Sequence, residues 1–196
     1  MTDISPLRSF VQDLTHALAQ HGGDEAAMLR IGKELLARLI ARDDWLPPEF
    51  AAEHPDSYRQ YLLYCDPLER FSVLSFVWGP GHTTPIHDHT VWGLVGVLRG
   101  AEKCEEYAYA GAGKPMTKTG EHIVAPGGID VVSPSVGDIH TVSNALADRA
   151  SVSIHVYGAN IGVIERHVYA RESGAIRPFV SGYHNATLPN LWQRAA

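Results

Sequence analysis

Three histidines stand where they can share one ion. His87 and His89 flank Asp88 in Gly81-His82-Thr83-Thr84-Pro85-Ile86-His87-Asp88-His89, and His140 follows in Gly137-Asp138-Ile139-His140-Thr141-Val142-Ser143-Asn144. On an extended strand, residues i and i+2 point to the same face, so His87 and His89 converge while Asp88 points away. Neutral imidazole ligates iron, copper, zinc and nickel. Any one of these histidines alone reads as a hydrogen-bonded core residue. The whole pattern, His-x-His with Gly-x-x-His-x-x-x-Asn, reads as a metal site. A second alternating set, Ser153, His155 and Tyr157, puts a hydroxyl, an imidazole and a phenol on one strand face. Its bland reading is a half-buried strand with polar alternation. Three such groups are expensive to bury unless they bond to one another, which favours a connected set.

The elements that must position these groups are legible in outline. Of 196 residues, 45% are hydrophobic and 19% charged, which suits a globular domain with a substantial core. Leu7, Phe10, Val11, Leu14 and Leu18 recur at helical spacing until Gly22-Gly23 breaks the pattern. Asp24 is placed to cap a second helix carrying Met28, Ile31, Leu35, Leu36 and Leu39, and Pro47-Pro48 closes the helical part. We therefore expect a helical region over residues 1–48 packed on a β unit over residues 49–196. Short apolar or alternating runs follow at 58–65, 71–78, 91–98, 103–109, 122–125, 130–133, 140–144 and 151–157, with turn residues between most of them. That pattern predicts a mainly-β sandwich or barrel. Ala110–Pro115 is a loop by composition. The tail from Gly174 has little periodicity, but Phe179, Tyr183 and Trp192 predict that it packs on the barrel.

The bulk numbers restrict the partners. A net charge of −6 argues against nucleic acid or an anionic membrane. No secretory leader and no run of eighteen apolar residues is visible, so a cytoplasmic location is expected. Cys65 and Cys104 make no disulfide framework and read as small buried hydrophobes.

The motifs carry a family resemblance. Gly81, His87-x-His89, Gly93 and Gly100 resemble the first cupin motif, with Gly93 where that motif usually has Glu. Gly128, Pro134, Gly137, His140 and Asn144 resemble the second, with one extra residue between Pro134 and Gly137. Ser153-Ile154-His155-Val156-Tyr157 resembles the Ser-His-Tyr triad of the thiol dioxygenases, the cysteine dioxygenase family; Tyr58-Arg59-Gln60 and Trp78-Gly79-Pro80-Gly81-His82 are similar too. The resemblance spans roughly residues 45–170. It implies a cupin jelly-roll barrel and one Fe(II) per chain held by His87, His89 and His140. It also implies an enzyme that adds both atoms of O2 to the sulfur of a small thiol, giving a sulfinate. Tyr157 is then the catalytic group, oriented by His155 and Ser153.

Two departures bear on the substrate. The animal-type cysteine dioxygenases carry an Arg where this chain has Gln60, and a crosslinking Cys where it has Gly93. Both departures match the bacterial subgroup resembling 3-mercaptopropionate dioxygenase, in which an Arg beyond the triad strand binds the substrate carboxylate. Arg166 fits that place, with Arg171 as the substitute, and Gln60 either bonds the same carboxylate or lines the cavity. Without the resemblance, Arg166 reads as a surface cation paired to Glu165 or another acid. The expected substrate is 3-mercaptopropionate, with L-cysteine next. A non-catalytic metal- or ligand-binding cupin, or a cupin enzyme using zinc, manganese or nickel, stays open at this point.

Overall fold

The computed structural model describes residues 2–193. Two helices come first, α1 (Ser5–His21) and α2 (Glu25–Ile40). Pro6 stands in the first turn of α1, where its missing N–H breaks no helical bond. Asp24 caps α2, its carboxylate accepting from the Ala27 N–H at 3.0 Å. After a 3-10 turn at Pro48–Phe50 come β1 (Arg59–Cys65), β2 (Ser72–Trp78), β3 (Ile86–His87), β4 (Gly93–Arg99), β5 (Glu102–Ala108) and β6 (Thr117–Val124). The chain continues through β7 (Ile129–Val132), β8 (His140–Asn144), β9 (Ser151–Tyr157), β10 (Arg166–Tyr169) and β11 (Ile176–Phe179).

The strands form two antiparallel sheets, ordered β1-β2-β9-β4-β7 and β11-β10-β3-β8-β5-β6. Strands distant in sequence lie side by side, as the double winding of a jelly roll requires. This is the mainly-β barrel expected, with both helices outside it. β2 and β9 are buried along their whole length because each has two apolar environments to fill. Val73 and Val77 of β2 and Val152, Ile154 and Val156 of β9 pack in one cluster with Leu7, Leu14 and Leu36 of the helices. The alternate residues Leu74, Phe76, Trp78 and Tyr157 form a second cluster inside the barrel. Gly96 lets α2 lie close on β4. A Cβ there would sit 3.1 Å from Cγ of Leu36 and 2.9 Å from Cδ1 of Ile40. None of the described helices is long and apolar enough to cross a membrane.

The structure differs from the sequence reading at the sheet ends. β6 begins at Thr117 rather than near His122, β3 ends at His87 so that His89 lies just past the strand expected through the histidine pair, and β10 and β11 have no counterpart among the expected strands. β6 and β11 close the two ends of one sheet, so their outer faces meet water and carry no apolar alternation. Phe179 and Tyr183 of the tail pack as expected, but Trp192 is 77% exposed, lying over the Arg8 guanidinium of α1. Cys65 is half-buried rather than buried.

Candidate active site

His87 and His140 are direct cross-strand partners on β3 and β8, and His89 lies two residues past the His87 position. The three ring centroids are 4.8, 4.9 and 5.0 Å apart. One nitrogen from each ring falls within 4.8 Å of the others. Each Nδ1 is already engaged. That of His87 meets the Pro85 carbonyl at 3.1 Å, that of His89 meets Oδ1 of Asp138 at 2.8 Å, and that of His140 meets Sγ of Cys104 at 3.5 Å. Three Nε2 atoms are left for one ion, and Nε2 of His140 is buried with no hydrogen-bond partner. An orphaned imidazole nitrogen beside two others is the donor set of a divalent transition metal, so these residues fit the metal ion expected from sequence. Burial, reinforced by the neighbouring histidines, lowers the His87 pKa to about 3 and holds His140 well below its ordinary value, which keeps these two rings neutral.

Asp138 organises the approach to His89. Besides the ring, its carboxylate accepts from the backbone N–H groups of His89 at 2.9 Å and Thr90 at 3.0 Å. Burial pushes this carboxyl up, but those hydrogen bonds outweigh it and leave the pKa below the usual carboxylate value. Thr90 has φ +61°, a left-handed conformation that β-branched residues rarely adopt. The two N–H bonds to Asp138 hold that strain in place. Asp88 points away from the histidines, as strand alternation predicts. It accepts from the His167 N–H at 2.8 Å, the His167 ring at 2.9 Å and the Tyr169 hydroxyl at 2.7 Å.

The triad is connected through three consecutive inward positions of β9. Oγ of Ser153 lies 2.8 Å from Nε2 of His155, and Nδ1 of His155 lies 2.8 Å from the Tyr157 hydroxyl. The Trp78 indole N–H donates to the same Ser153 oxygen at 3.2 Å. The Tyr157 ring stacks on His89 at 5.2 Å, which brings the phenol to the histidine cluster. Burial raises the Tyr157 pKa and holds His155 well below its ordinary value, so both are neutral at pH 7. Gly93 is the cross-strand partner of Tyr157. No side chain at this position competes with the ring.

The three histidines, His155, Tyr157 and Trp78 line one cavity of about 180 Å³. Arg166 enters it from the first residue of β10 and is only 5% exposed, so it is not the surface cation that a Glu165 pair would make. Its guanidinium lies over the Phe179 ring at 4.6 Å, and Nη2 donates to Oγ of Ser181 at 2.6 Å. Nε is buried without a partner, and Arg166 forms no ion pair among the described residues. Arg171 lies elsewhere, over the Tyr107 ring and 3.9 Å from Glu105. Gln60 lines the cavity, but its amide nitrogen is spent on Ser181 Oγ at 2.8 Å and on the Gly182 carbonyl. Sequence pattern assigns no role to Asp138, Ser181 or Phe179: Asp138 stands two residues before His140, but a loop brings it to His89, and Ser181 lies in an aperiodic tail.

A jelly-roll barrel with a buried three-histidine cluster, a phenol relay and an unpaired cation defines a class: small-cavity metal-site β-barrels. The family follows from comparison. The cysteine dioxygenase type I family profile matches residues 47–169, and the chain belongs to that family. Cysteine dioxygenase type 1 of Bos taurus is 25% identical over 118 residues, 59% of this chain and 58% of that protein. The chain thus matches little more than half the length of this curated relative. Among solved structures, a Thermus thermophilus protein covers 58% of this chain and 95% of its own at 19% identity and a TM-score of 0.44. A cupin superfamily protein of Desulfitobacterium hafniense covers 61% and 94% at 11% identity and a TM-score of 0.45.

Proposed function

We propose that this chain is a non-haem Fe(II) thiol dioxygenase. It would convert 3-mercaptopropionate and O2 to the sulfinate and a proton, with His87, His89 and His140 holding one Fe(II) per chain. The observation that carries this reading is Arg166: a buried guanidinium without a carboxylate partner, in the same small cavity as three clustered imidazoles. A buried cation calls for an anion, and a substrate carboxylate supplies one through a charge-assisted bond. At about 180 Å³ the cavity is below the range of sites that take drug-sized ligands, which suits a thiol of a few carbons.

Bound Fe(II) supplies Lewis acidity toward the thiol and redox capacity toward O2. The chain supplies the rest. Arg166 anchors the carboxylate, and Ser181, held by Gln60, fixes the guanidinium. Phe76, Trp78, Val142 and Phe179 keep water from the reacting sulfur. With Ser153 donating to Nε2 of His155, the ring is the Nδ1–H tautomer and donates to the Tyr157 oxygen. The phenolic proton is then free to face the cavity and move to a developing negative charge. Among the described residues, no Asp or Glu lines this cavity. The ammonium of L-cysteine would find no charged partner there, which favours a thiol acid without an amino group. Residues 1–48 we read as a buttress for the barrel of 49–196. A cytoplasmic setting fits the two free thiols.

The test is oxygen uptake by the iron-loaded chain across 3-mercaptopropionate, L-cysteine and cysteamine. The expected order is that order, with cysteamine near background because it lacks a carboxylate. Arg166→Ala should raise KM for 3-mercaptopropionate by about 10- to 100-fold, the worth of a hydrogen-bonded charge pair. An unchanged KM refutes the carboxylate assignment. Bound iron with no uptake on any thiol would instead favour a non-catalytic metal-binding barrel.

A further inference from the structure

On the other side of His140 from the active-site cavity lies a second cavity, of about 310 Å³. Cys104, His122 and Asp130 converge on it. Cys104 on β5 and His122 on β6 are direct cross-strand partners, so their side chains leave the same face of that sheet. Asp130 reaches the same point from β7, in the opposite sheet. Its Oδ2 lies 2.7 Å from Nε2 of His122. One sulfur, one imidazole nitrogen and one carboxylate oxygen thus fall within 4.8 Å of one another, brought together by residues 26 positions apart at the extremes.

We propose that Cys104, His122 and Asp130 form a second metal site, for a borderline thiophilic divalent ion of the Zn2+ class, separate from the three-histidine centre. The donor set decides the ion. Zn2+ takes Cys, His and Asp ligands together, whereas Mg2+ and Ca2+ take oxygen and avoid sulfur. Three protein ligands leave a fourth position for water from the cavity. The local charge suits a cation, because Asp130 and Glu106 are the strongest charges acting on the Cys104 sulfur and Glu106 lies 3.9 Å from Nδ1 of His122. Access is direct, since the His122 side chain is 41% exposed while the sulfur is buried. A surface His–Asp pair would account for two of these residues. It gives no reason for a buried thiol to complete the triangle.

The site stands without the dioxygenase reading, yet it touches the other centre. Sγ of Cys104 is 3.5 Å from Nδ1 of His140. When His140 offers Nε2 to an ion, Nδ1 carries the proton and the sulfur accepts it. The two metal sites would then share one hydrogen bond.

The test uses the full chain, stripped with chelator and titrated with Zn2+ by calorimetry and with Cd2+ by near-ultraviolet absorption. We expect two bound equivalents in the unmodified chain and a cadmium–thiolate charge-transfer band from one cysteine. His122→Ala alters a half-exposed side chain and leaves the core packing alone. It should weaken the second equivalent at least ~10-fold and diminish the band, with the thermal midpoint of the metal-free chain unchanged. Cys104→Ser should abolish the band, Cys65→Ser should keep it, and His87→Ala should lose the other equivalent but keep the band. A single equivalent in the unmodified chain overturns the proposal, as does a band that survives Cys104→Ser or a second equivalent that ignores His122→Ala.

Discussion

A Cβ at position 93 would lie 2.7 Å from Cδ1 of Tyr157 and 2.9 Å from Cγ2 of Val132. From sequence, Gly93 reads as a vacancy where a relative has a metal-binding or crosslinking side chain. In the structure that vacancy is space occupied by the Tyr157 ring. Gly93→Ala should therefore cost about 1–3 kcal/mol in urea unfolding, as overpacking does, and slow turnover by displacing the phenol. A variant with unchanged stability and kcat would mean the ring has room to spare. Asp138 makes the opposite point, because here a side chain is required. Asp138→Asn cannot accept from the His89 ring and from both backbone N–H groups equally well. Metal affinity measured by titration should fall about 10- to 100-fold, as for other changes behind a metal-ligating histidine. Of the chemistry-bearing residues, Ser153-His155-Tyr157 is readable from strand alternation alone, whereas the three histidines are readable from their motifs, His140 meeting His87 by the pairing of β8 with β3. Asp138 is not, because its role depends on a loop that brings it back to His89, 49 residues away in sequence.

The element that completes the cavity is the least legible part of the chain. β10 and β11 lie at the end of a sheet, and residues 181–185 run beside β1. None of these segments buries two faces, so none shows the apolar periodicity that revealed β2 and β9. Arg166 was therefore identified by resemblance rather than by pattern. The tail docks by side chains that imitate a strand. Asn185 accepts from the Leu62 N–H at 2.7 Å and donates to the Leu62 carbonyl at 2.9 Å. His184 exchanges similar bonds with Gln60, its ring nitrogen accepting from the Gln60 N–H at 3.0 Å. This docking sets Ser181 against Gln60 and Arg166. Asn185→Ala removes both hydrogen bonds to β1 and a third to the Thr187 carbonyl, each worth roughly 1 kcal/mol, and loosens Ser181 without altering a residue of the cavity wall. Its expected signature is a several-fold rise in KM for the thiol acid with kcat nearly unchanged. A fall in kcat at constant KM would place the tail's influence on the triad instead.

Across the whole molecule, buried charge is either partnered or left for a purpose. Asp66 binds Arg70 through both carboxylate oxygens, and Asp88 and Asp138 each collect several donors. Among the described buried carboxylates and guanidinium groups, Arg166 and Glu102 stand apart, each with an unpartnered atom. Arg166 faces the cavity, where a ligand can answer its charge. Glu102 is 2% exposed and has one bond, from the Ser151 hydroxyl at 3.3 Å. It has no cavity to face, so it answers its burial by staying protonated. Burial pushes its pKa up to about 8 from 4.5. The folded state then holds this proton more tightly than the unfolded chain does. The contribution to stability is fully present below pH 4.5, declines as pH rises, and is lost by the time pH passes about 8. Glu102→Gln keeps the shape and removes the titration. In urea unfolding, the variant should match the parent near pH 4.5 and be more stable by a few kcal/mol near pH 8.5, with the difference growing at up to about 1.4 kcal/mol per pH unit between them. A difference that is flat with pH would mean that Glu102 ionises inside the fold, matched by a charge that the packing around Ser151 does not supply.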